Sequence, residues 1–220
     1  MQLAERCREI KDKFRKSVKN LETNEFFRTI LIPARHFYRK ELTRTHYCRA
    51  MMNKEILQFV ESLNVNQLDA VEISGDTLGG INWKGFHRLD YPEFDLVNPV
   101  LPTEKYDVVI CQQVLEHVTN PFKATETFFK LLKPGGVLIV STPFMLKIHA
   151  APNDYWRFTI EGMRILLDEA GLIPLEIKSW GNKYAVRNNL NSWSKVRWYK
   201  PSRNDPDFPL VVWAFATRVS

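Results

Sequence analysis

The chain has 220 residues, of which 45% are hydrophobic and 25% charged, so it can form one domain with a sizeable core. Its three cysteines are widely spaced, which excludes a disulfide scaffold and a cysteine-based zinc site, and we expect no metal. The start of the chain is too charged for a signal peptide, and no apolar run is long enough to span a bilayer, so we expect a cytoplasmic protein.

The net charge of +6 is unevenly distributed along the chain. Residues 1–54 hold 14 of the 31 Lys and Arg but only 6 of the 25 Asp and Glu. Apolar residues from Leu3 to Val18 recur at steps of three and four, which predicts a basic amphipathic helix. Such a helix packs on its own domain or a partner, or makes peripheral contact with a membrane. We assign residues 1–63 to an N-terminal helical extension, whose last helix is predicted at Met51 to Leu63.

From residue 64 onward, apolar strand patterns alternate with helical patterns. A mainly parallel sheet with helices on both faces is therefore predicted, an α/β fold with a Rossmann-like sheet of seven strands. This domain spans 64–220 and includes an insertion at about 180–208. The predicted strands are Leu68–Ile73, Phe86–Asp90, Phe94–Val97, Tyr106–Cys111, Val137–Ser141, Leu175–Ser179 and Leu210–Arg218. Helices are predicted at Pro121–Leu132 and Thr159–Ala170, the second ended by Gly171.

The stretch from Tyr106 to Phe144 holds two short motifs in a fixed order. V-L-E-H follows the fourth predicted strand, and K-P-G-G precedes the fifth. This arrangement resembles the second half of the class I methyltransferases that use S-adenosylmethionine (SAM). The resemblance implies methyl transfer with SAM as cofactor. It also implies that the loop after the fourth strand contacts SAM, through the backbone of Gln112 and the side chains of Glu116 and His117.

The first and second predicted strands end in acidic residues at a suitable spacing for the same cofactor. Class I methyltransferases have an acidic residue in the first strand and then a turn that approaches the methionine part of SAM. By resemblance, Glu72 and Gly75 match these two features. The usual G-x-G-x-G is not complete here, because A-V-E-I-S-G-D takes its place. Asp90 follows Glu72 by 18 positions, a spacing at which a carboxylate accepts hydrogen bonds from ribose hydroxyls. By resemblance, Asp95 lies near the adenine. Because Asp90 and Asp95 are only five positions apart, we expect one of them to be a solvated loop carboxylate and favour Asp90 for the ribose. Tyr91 either covers the adenine face or packs as an ordinary aromatic residue.

Beyond the fifth strand, the run H-x-x-P-x-D-Y-W-R-F-T resembles one branch of bacterial methyltransferases associated with glycans or the cell surface. That branch tends to carry E-I-S-G in place of the glycine-rich loop, and the resemblance covers roughly residues 68–175. We expect His149 to act as general base for an acceptor hydroxyl, because its pKa suits proton transfer near neutrality. Arg157 either holds an anionic group of the acceptor or pairs with Asp154.

The segment from Lys178 to Arg203 carries seven basic residues and no acidic one, interspersed with Trp and Tyr. It suits a sugar, a phosphate-bearing molecule or a nucleic acid, and it could equally be a lid. Our hypothesis is a SAM-dependent O-methyltransferase for a small molecule or glycan precursor with an anionic group. The alternatives are an RNA or other nucleic-acid methyltransferase and a catalytically degenerate scaffold. The sequence does not fix an oligomeric state.

Overall fold

The computed structural model describes residues 47–103, 105–150, 152–191 and 203–219. These ranges contain four α-helices and six strands. The helices are α1 (Tyr47–Glu61), α2 (Pro121–Leu131), α3 (Ile160–Glu169) and α4 (Lys183–Asn191). The strands are β1 (Asp69–Ile73), β2 (Gly85–Leu89), β3 (Tyr106–Gln112), β4 (Leu132–Pro143), β5 (Leu172–Gly181) and β6 (Pro209–Arg218). Short 3-10 helices lie at Val65–Gln67 and Leu115–His117.

The strands form one sheet in the order β2-β1-β3-β4-β6-β5. Strands β1 to β4 pair in parallel, while β6 runs antiparallel to both of its neighbours, β4 and β5. This confirms the predicted α/β class with a mainly parallel, Rossmann-like sheet. The chain moves from β2 on one side of β1 to β3 on the other side, so the switch in strand order lies between β1 and β3. Ligands of open α/β sheets bind at this point, beyond the carboxyl ends of the strands.

The described residues contain six strands rather than the predicted seven, because 94–97 does not pair with the sheet. The Asp95 carboxylate accepts hydrogen bonds from the backbone N–H of Val97 and the side chain of Asn98, which closes a local turn. The Phe94 N–H donates to the Asp90 carbonyl, so the backbone turns directly after β2. Phe94 and Leu96 are buried in the core, so the apolar pattern that predicted a strand comes from packing.

Apolar clusters cover the two faces of the sheet. One cluster contains α2 and α3 residues such as Phe128 and Leu167, and the other contains α1 residues such as Ile56 and Phe59. The ring of Phe59 stacks on that of Phe215 of β6, with centroids 3.9 Å apart. The α1 helix therefore packs directly on the sheet. The predicted amphipathic helix between Leu3 and Val18 lies outside the described residues, and the domain boundary at residue 63 stays a prediction.

Local sequence signals explain where the helices beside the site begin and end. Asn120 caps α2 by accepting from the Lys123 N–H, with Pro121 at the first helical position. Thr159 caps α3 by accepting from Gly162, and Gly171 follows that helix with a φ of +77°. β4 begins earlier than predicted, so K-P-G-G lies within it, where its pairing with β3 is irregular. None of the helices in the described ranges has the length and hydrophobicity needed to cross a membrane.

Candidate active site

The loop after β1 is folded around a buried carboxylate. Glu72 is fully buried at the end of β1, and its Oε1 accepts hydrogen bonds from the N–H and the hydroxyl of Thr77. Its Oε2 accepts from the Leu78 N–H at 3.0 Å. A Cβ at Gly75 would lie only 2.7 Å from Glu72 Oε1, so the loop depends on glycine at this position. Glu72 therefore shapes the loop through its own hydrogen bonds.

The residues that follow β1 and β3 both adopt left-handed backbone conformations. Ser74 has a φ of +50° and Gln113 a φ of +57°, values that non-glycine residues seldom adopt. The Ser74 N–H donates to the Leu89 carbonyl, and the Gln113 N–H donates to the Ser141 carbonyl at 2.8 Å. These bonds hold the two unusual turns on either side of the switch point between β1 and β3.

Gln112, the last residue of β3, joins the β1 loop to this switch point. Its Nε2 donates to the Thr77 hydroxyl at 2.6 Å, which in turn donates to Glu72. The side-chain oxygen Oε1 of Gln112 is buried and has no hydrogen-bond partner among the described residues. A buried acceptor without a partner is costly unless a ligand supplies a donor. Gln112 is therefore a candidate ligand contact through its side chain as well as its backbone.

The carboxylates after β2 have different surroundings. Asp90 accepts from Arg88 at 2.9 Å, and its side chain is 41% exposed. Asp95 accepts from the Val97 N–H on one oxygen and from the Asn98 side chain on the other, yet it lines the neighbouring cleft. Tyr91 also lines this cleft with 69% of its surface exposed, so it does not pack in the core.

A cleft of about 450 Å³ connects the ends of β1 and β3 to the loop that follows β4. Tyr91, Asp95 and Leu96 line one part of it, and His117 and Tyr155 line another. Its remaining lining residues are Ser74, Phe94, Val97, Gln113, Val114, Val118, Thr119, Pro152 and Asn153. The predicted residues Tyr91, Asp95 and His117 thus meet at one cleft. The other predicted site residues do not line it: Glu72, Gly75, Asp90, Gln112, Glu116, His149, Asp154 and Arg157.

The V-L-E-H turn places a carboxylate in the protein interior. Glu116 is fully buried, and neither of its carboxylate oxygens has a hydrogen-bond partner within the described part of the chain. Burial raises the pKa of Glu116 to about 7, because the charged form loses its hydration. Two imidazole nitrogens lie close to Oε1, His117 Nε2 at 3.6 Å and His149 Nε2 at 3.7 Å.

The loop after β4 is tied to the V-L-E-H turn at several points. The Tyr155 N–H donates to the Glu116 carbonyl at 2.7 Å, and the indole N–H of Trp156 donates to the Val118 carbonyl at 2.9 Å. His117 Nδ1 is hydrogen-bonded to the Asn153 carbonyl. These bonds bring His149 against His117, with ring centroids 5.0 Å apart.

His149, Asp154 and Arg157 form one hydrogen-bonded group. The Asp154 carboxylate accepts from the backbone N–H of His149 at 2.8 Å and lies 3.0 Å from its Nδ1. Arg157 donates to both oxygens of Asp154, and this pairing holds the pKa of Asp154 well below its usual range. Burial lowers the pKa of His149, and Asp154 opposes that effect. Arg157 was expected either to hold an anionic group of the acceptor or to pair with Asp154, and in the structure it pairs with Asp154.

Sequence reasoning missed several residues at this site. Ser74 and Gln113 line the cleft in left-handed turns, which neither residue type signals in advance. Thr77 joins Glu72 to Gln112, and its only sequence signal was its place in the loop after β1. Tyr155, by contrast, belongs to the D-Y-W-R-F-T run that follows the strand end where a substrate is expected, and it lines the cleft.

Comparison with known proteins identifies a family over most of the chain. A family model described as a methyltransferase domain matches residues 33–173. That range includes β1 to β4, the switch point and the loop carrying His149, Asp154 and Arg157. The match therefore covers every predicted site residue.

Curated relatives match shorter parts of the chain. Ubiquinone biosynthesis O-methyltransferase from Pseudomonas savastanoi pv. phaseolicola is 32% identical over 92 residues, which is 42% of this chain and 35% of the relative. The protein of the same description from Psychrobacter cryohalolentis is 41% identical over 63 residues, 29% of this chain and 22% of the relative. The chain thus aligns with about a fifth to a third of the length of these relatives.

Solved structures share the fold at low sequence identity. A SAM-dependent methyltransferase from Clostridium acetobutylicum covers 87% of this chain and 100% of its own, with a TM-score of 0.51 and 12% identity. Phosphoethanolamine N-methyltransferase 2 from Haemonchus contortus, solved with S-adenosylmethionine, covers 76% of this chain and 52% of its own, with a TM-score of 0.54 and 11% identity. At these identities, the likeness concerns the fold alone.

Proposed function

This chain belongs to the methyltransferase-domain family, and we propose that it is a SAM-dependent methyltransferase that O-methylates a small molecule in the cleft between the switch point and the loop after β4. The observation that carries the proposal is the position of His117, which lines this cleft and lies against Glu116 and His149. Polar groups that converge at the wall of a concave site are suited to orient an acceptor. The curated relatives, whose descriptions name O-methyltransferases, support the same reaction class.

The residues around the switch point are suited to the cofactor. The unpartnered Gln112 Oε1 is a natural acceptor for the ammonium group of SAM, and the β1 loop, closed on Glu72, provides backbone close to it. We propose Asp90 for the ribose hydroxyls, with Asp95 and Tyr91 near the adenine. When bound, SAM supplies an electrophilic methyl group on a sulfonium sulfur. The residues of this chain then have to position the acceptor and exclude water.

We propose that His149 orients the acceptor hydroxyl and takes its proton. Asp154 accepts at Nδ1, so that nitrogen donates its hydrogen and Nε2 is the basic atom of the neutral ring. Arg157 holds Asp154 in place and so acts on His149 indirectly. As the acceptor oxygen takes the methyl group that bound SAM would supply, the hydroxyl proton would pass to His149 Nε2.

The anionic group of the acceptor is assigned to the basic segment from Lys178 to Arg203, since Arg157 is paired with Asp154. Residues 192–202 of this segment lie outside the described residues, while Arg187 on α4 is exposed. The nucleic-acid alternative relies on this segment and on residues 1–54, most of which also lie outside the described ranges. No contact among the described residues favours it over a small acceptor.

A two-stage experiment tests this proposal. Calorimetric titration with S-adenosylhomocysteine should show saturable binding, and its absence at millimolar ligand would contradict the cofactor site. The protein is then incubated with methyl-labelled SAM and separate panels of phenolic acids, sugar phosphates and mixed RNA. Label in an ether of a small hydroxylated acceptor is expected. Label that appears only in RNA, or only on nitrogen, would contradict the proposed acceptor class.

A further inference from the structure

The cluster of Glu116, His117 and His149 has the composition of a metal site. Each residue offers one ligand atom, and these three atoms lie within 4.8 Å of one another. Metal–ligand bonds of about 2.0–2.2 Å place two ligands of a tetrahedral ion about 3.3–3.6 Å apart. The two Nε2 atoms lie 3.6 and 3.7 Å from Glu116 Oε1, so contractions of tenths of an ångström would bring both of these pairs to that spacing. The two histidines, whose ligand atoms lie within 4.8 Å of each other, would have to close by about 1 Å through rotation of their side chains.

The hydrogen bonds behind the two histidines orient them for this role. A carbonyl oxygen can only accept, so His117 Nδ1 must donate to Asn153, and in the neutral ring Nε2 then carries the lone pair. The same holds for His149, whose Nδ1 faces the ionised Asp154 carboxylate. Metal-binding histidines almost always donate their second nitrogen to a carboxylate or a backbone carbonyl. In this cluster, His149 has the carboxylate of Asp154 as its partner, and His117 has the backbone carbonyl of Asn153.

Glu116 provides an independent indication. A fully buried carboxylate with no hydrogen-bond partner among the described residues is costly in its charged form. A cation held between its oxygen and the two imidazoles would supply the missing charge. One main-chain bond, from the Tyr155 N–H to the Glu116 carbonyl, and the side-chain bonds of His117 and Trp156 already tie the V-L-E-H turn to the loop after β4.

We infer that Glu116, His117 and His149 bind a divalent first-row transition metal ion such as Zn²⁺. Two imidazoles and one carboxylate are typical ligands for such ions, and three protein ligands leave a position open for a water or a substrate oxygen. His117 lines the cleft, so that open position can face the acceptor. A bound ion lowers the pKa of a hydroxyl that coordinates it.

This inference deepens the proposed function, because it supplies another way to ionise the same acceptor hydroxyl. With the ion bound, His149 Nε2 is a ligand, and the hydroxyl proton leaves to solvent instead of passing to His149. The metal site itself can be measured without acceptor or methyl transfer. Failure of the site would therefore leave the methyltransferase proposal standing, and failure of acceptor methylation would leave the site standing.

The test uses the full chain purified without a histidine tag, stripped with chelator and dialysed. Calorimetric titration with Zn²⁺ should show one site, and absorption spectra with Co²⁺ should show a four- or five-coordinate ion. Glu116→Gln and His149→Gln should weaken Zn²⁺ binding at least 10-fold, and Asp154→Asn, which only orients His149, by about 10–100-fold. His87→Gln is the matched control, because His87 lies on β2 against the ring of Tyr106, and its Zn²⁺ affinity should equal that of the parent.

Folding of each variant is verified by thermal melting without metal and by S-adenosylhomocysteine binding. Glu116→Gln should melt at or above the parent's temperature, since it removes an unpaired buried charge while losing the metal. Absence of saturable Zn²⁺ binding with a Kd of about 100 micromolar or tighter, which is a binding free energy of about −5.5 kcal/mol, would overturn the inference. So would equal Zn²⁺ binding by the parent and by Glu116→Gln and His149→Gln.

Discussion

Substituting Gly75 by Ala perturbs the loop after β1 at one defined contact. The added Cβ would lie 2.7 Å from Glu72 Oε1, whereas carbon–oxygen contacts shorter than 3.0 Å essentially never occur at a real Cβ. Glu72 cannot move away cheaply, because it is fully buried and its carboxylate accepts hydrogen bonds from Thr77 and Leu78. The backbone of Gly75 is not left-handed, so the strain comes from this contact.

The expected magnitude follows from the hydrogen bonds at Oε1. A hydrogen bond to a charged group contributes about 1.5–3 kcal/mol, so weakening both bonds from Thr77 should lower the free energy of unfolding by about 2–4 kcal/mol. For a chain of this size, that corresponds to a fall in Tm of about 4–16 °C. Because the same loop adjoins the proposed cofactor site, affinity for S-adenosylhomocysteine should fall as well.

Gly80→Ala is the matched control in the same loop. No atom lies within 4 Å of a Cβ placed at Gly80, so its free energy of unfolding should change by no more than about 0.5 kcal/mol. Both variants are measured by urea denaturation and by calorimetric titration with S-adenosylhomocysteine. Equal stability and equal affinity in the two variants would refute the argument that Gly75 is required by its contact with Glu72.

Three further predictions concern the proposed cofactor and acceptor contacts. Asp90→Ala should weaken S-adenosylhomocysteine binding by about 1–3 kcal/mol. The control Asp76→Ala, which removes the other carboxylate facing Arg88, should leave this binding unchanged. Equal affinities of the two variants for S-adenosylhomocysteine would reject Asp90 as the ribose ligand. His149→Gln should lower the methyl-transfer rate by about 10²–10⁴ with cofactor affinity retained, and full activity would leave positioning as the main catalytic effect. Arg187→Ala should raise the acceptor KM, and salt should weaken acceptor binding more than cofactor binding; a KM unaffected by either change would make the segment only a lid.

The sequence by itself determined the features that depend on local interactions. Sequence patterns predicted six of the strands. The four that pair on both sides, β1, β3, β4 and β6, are apolar because a strand inside the sheet is buried. The helix start after Asn120 and the helix end at Gly171 followed from capping and backbone freedom. The order of V-L-E-H and K-P-G-G carried the resemblance to the family, and V-L-E-H follows β3, whose carboxyl end adjoins the cleft.

Only the tertiary structure decided how the predicted residues are used. An apolar pattern does not distinguish pairing from packing, so Phe94 and Leu96 suggested a strand but lie buried in a turn. Glu72 faces its own loop because the chain reverses within six residues, which no residue-type rule indicates. Glu116 and His149 are 33 positions apart, and their approach depends on the loop after β4 folding over the V-L-E-H turn. Long-range contacts of this kind are set by the packed sheet and loops, which a local pattern cannot encode.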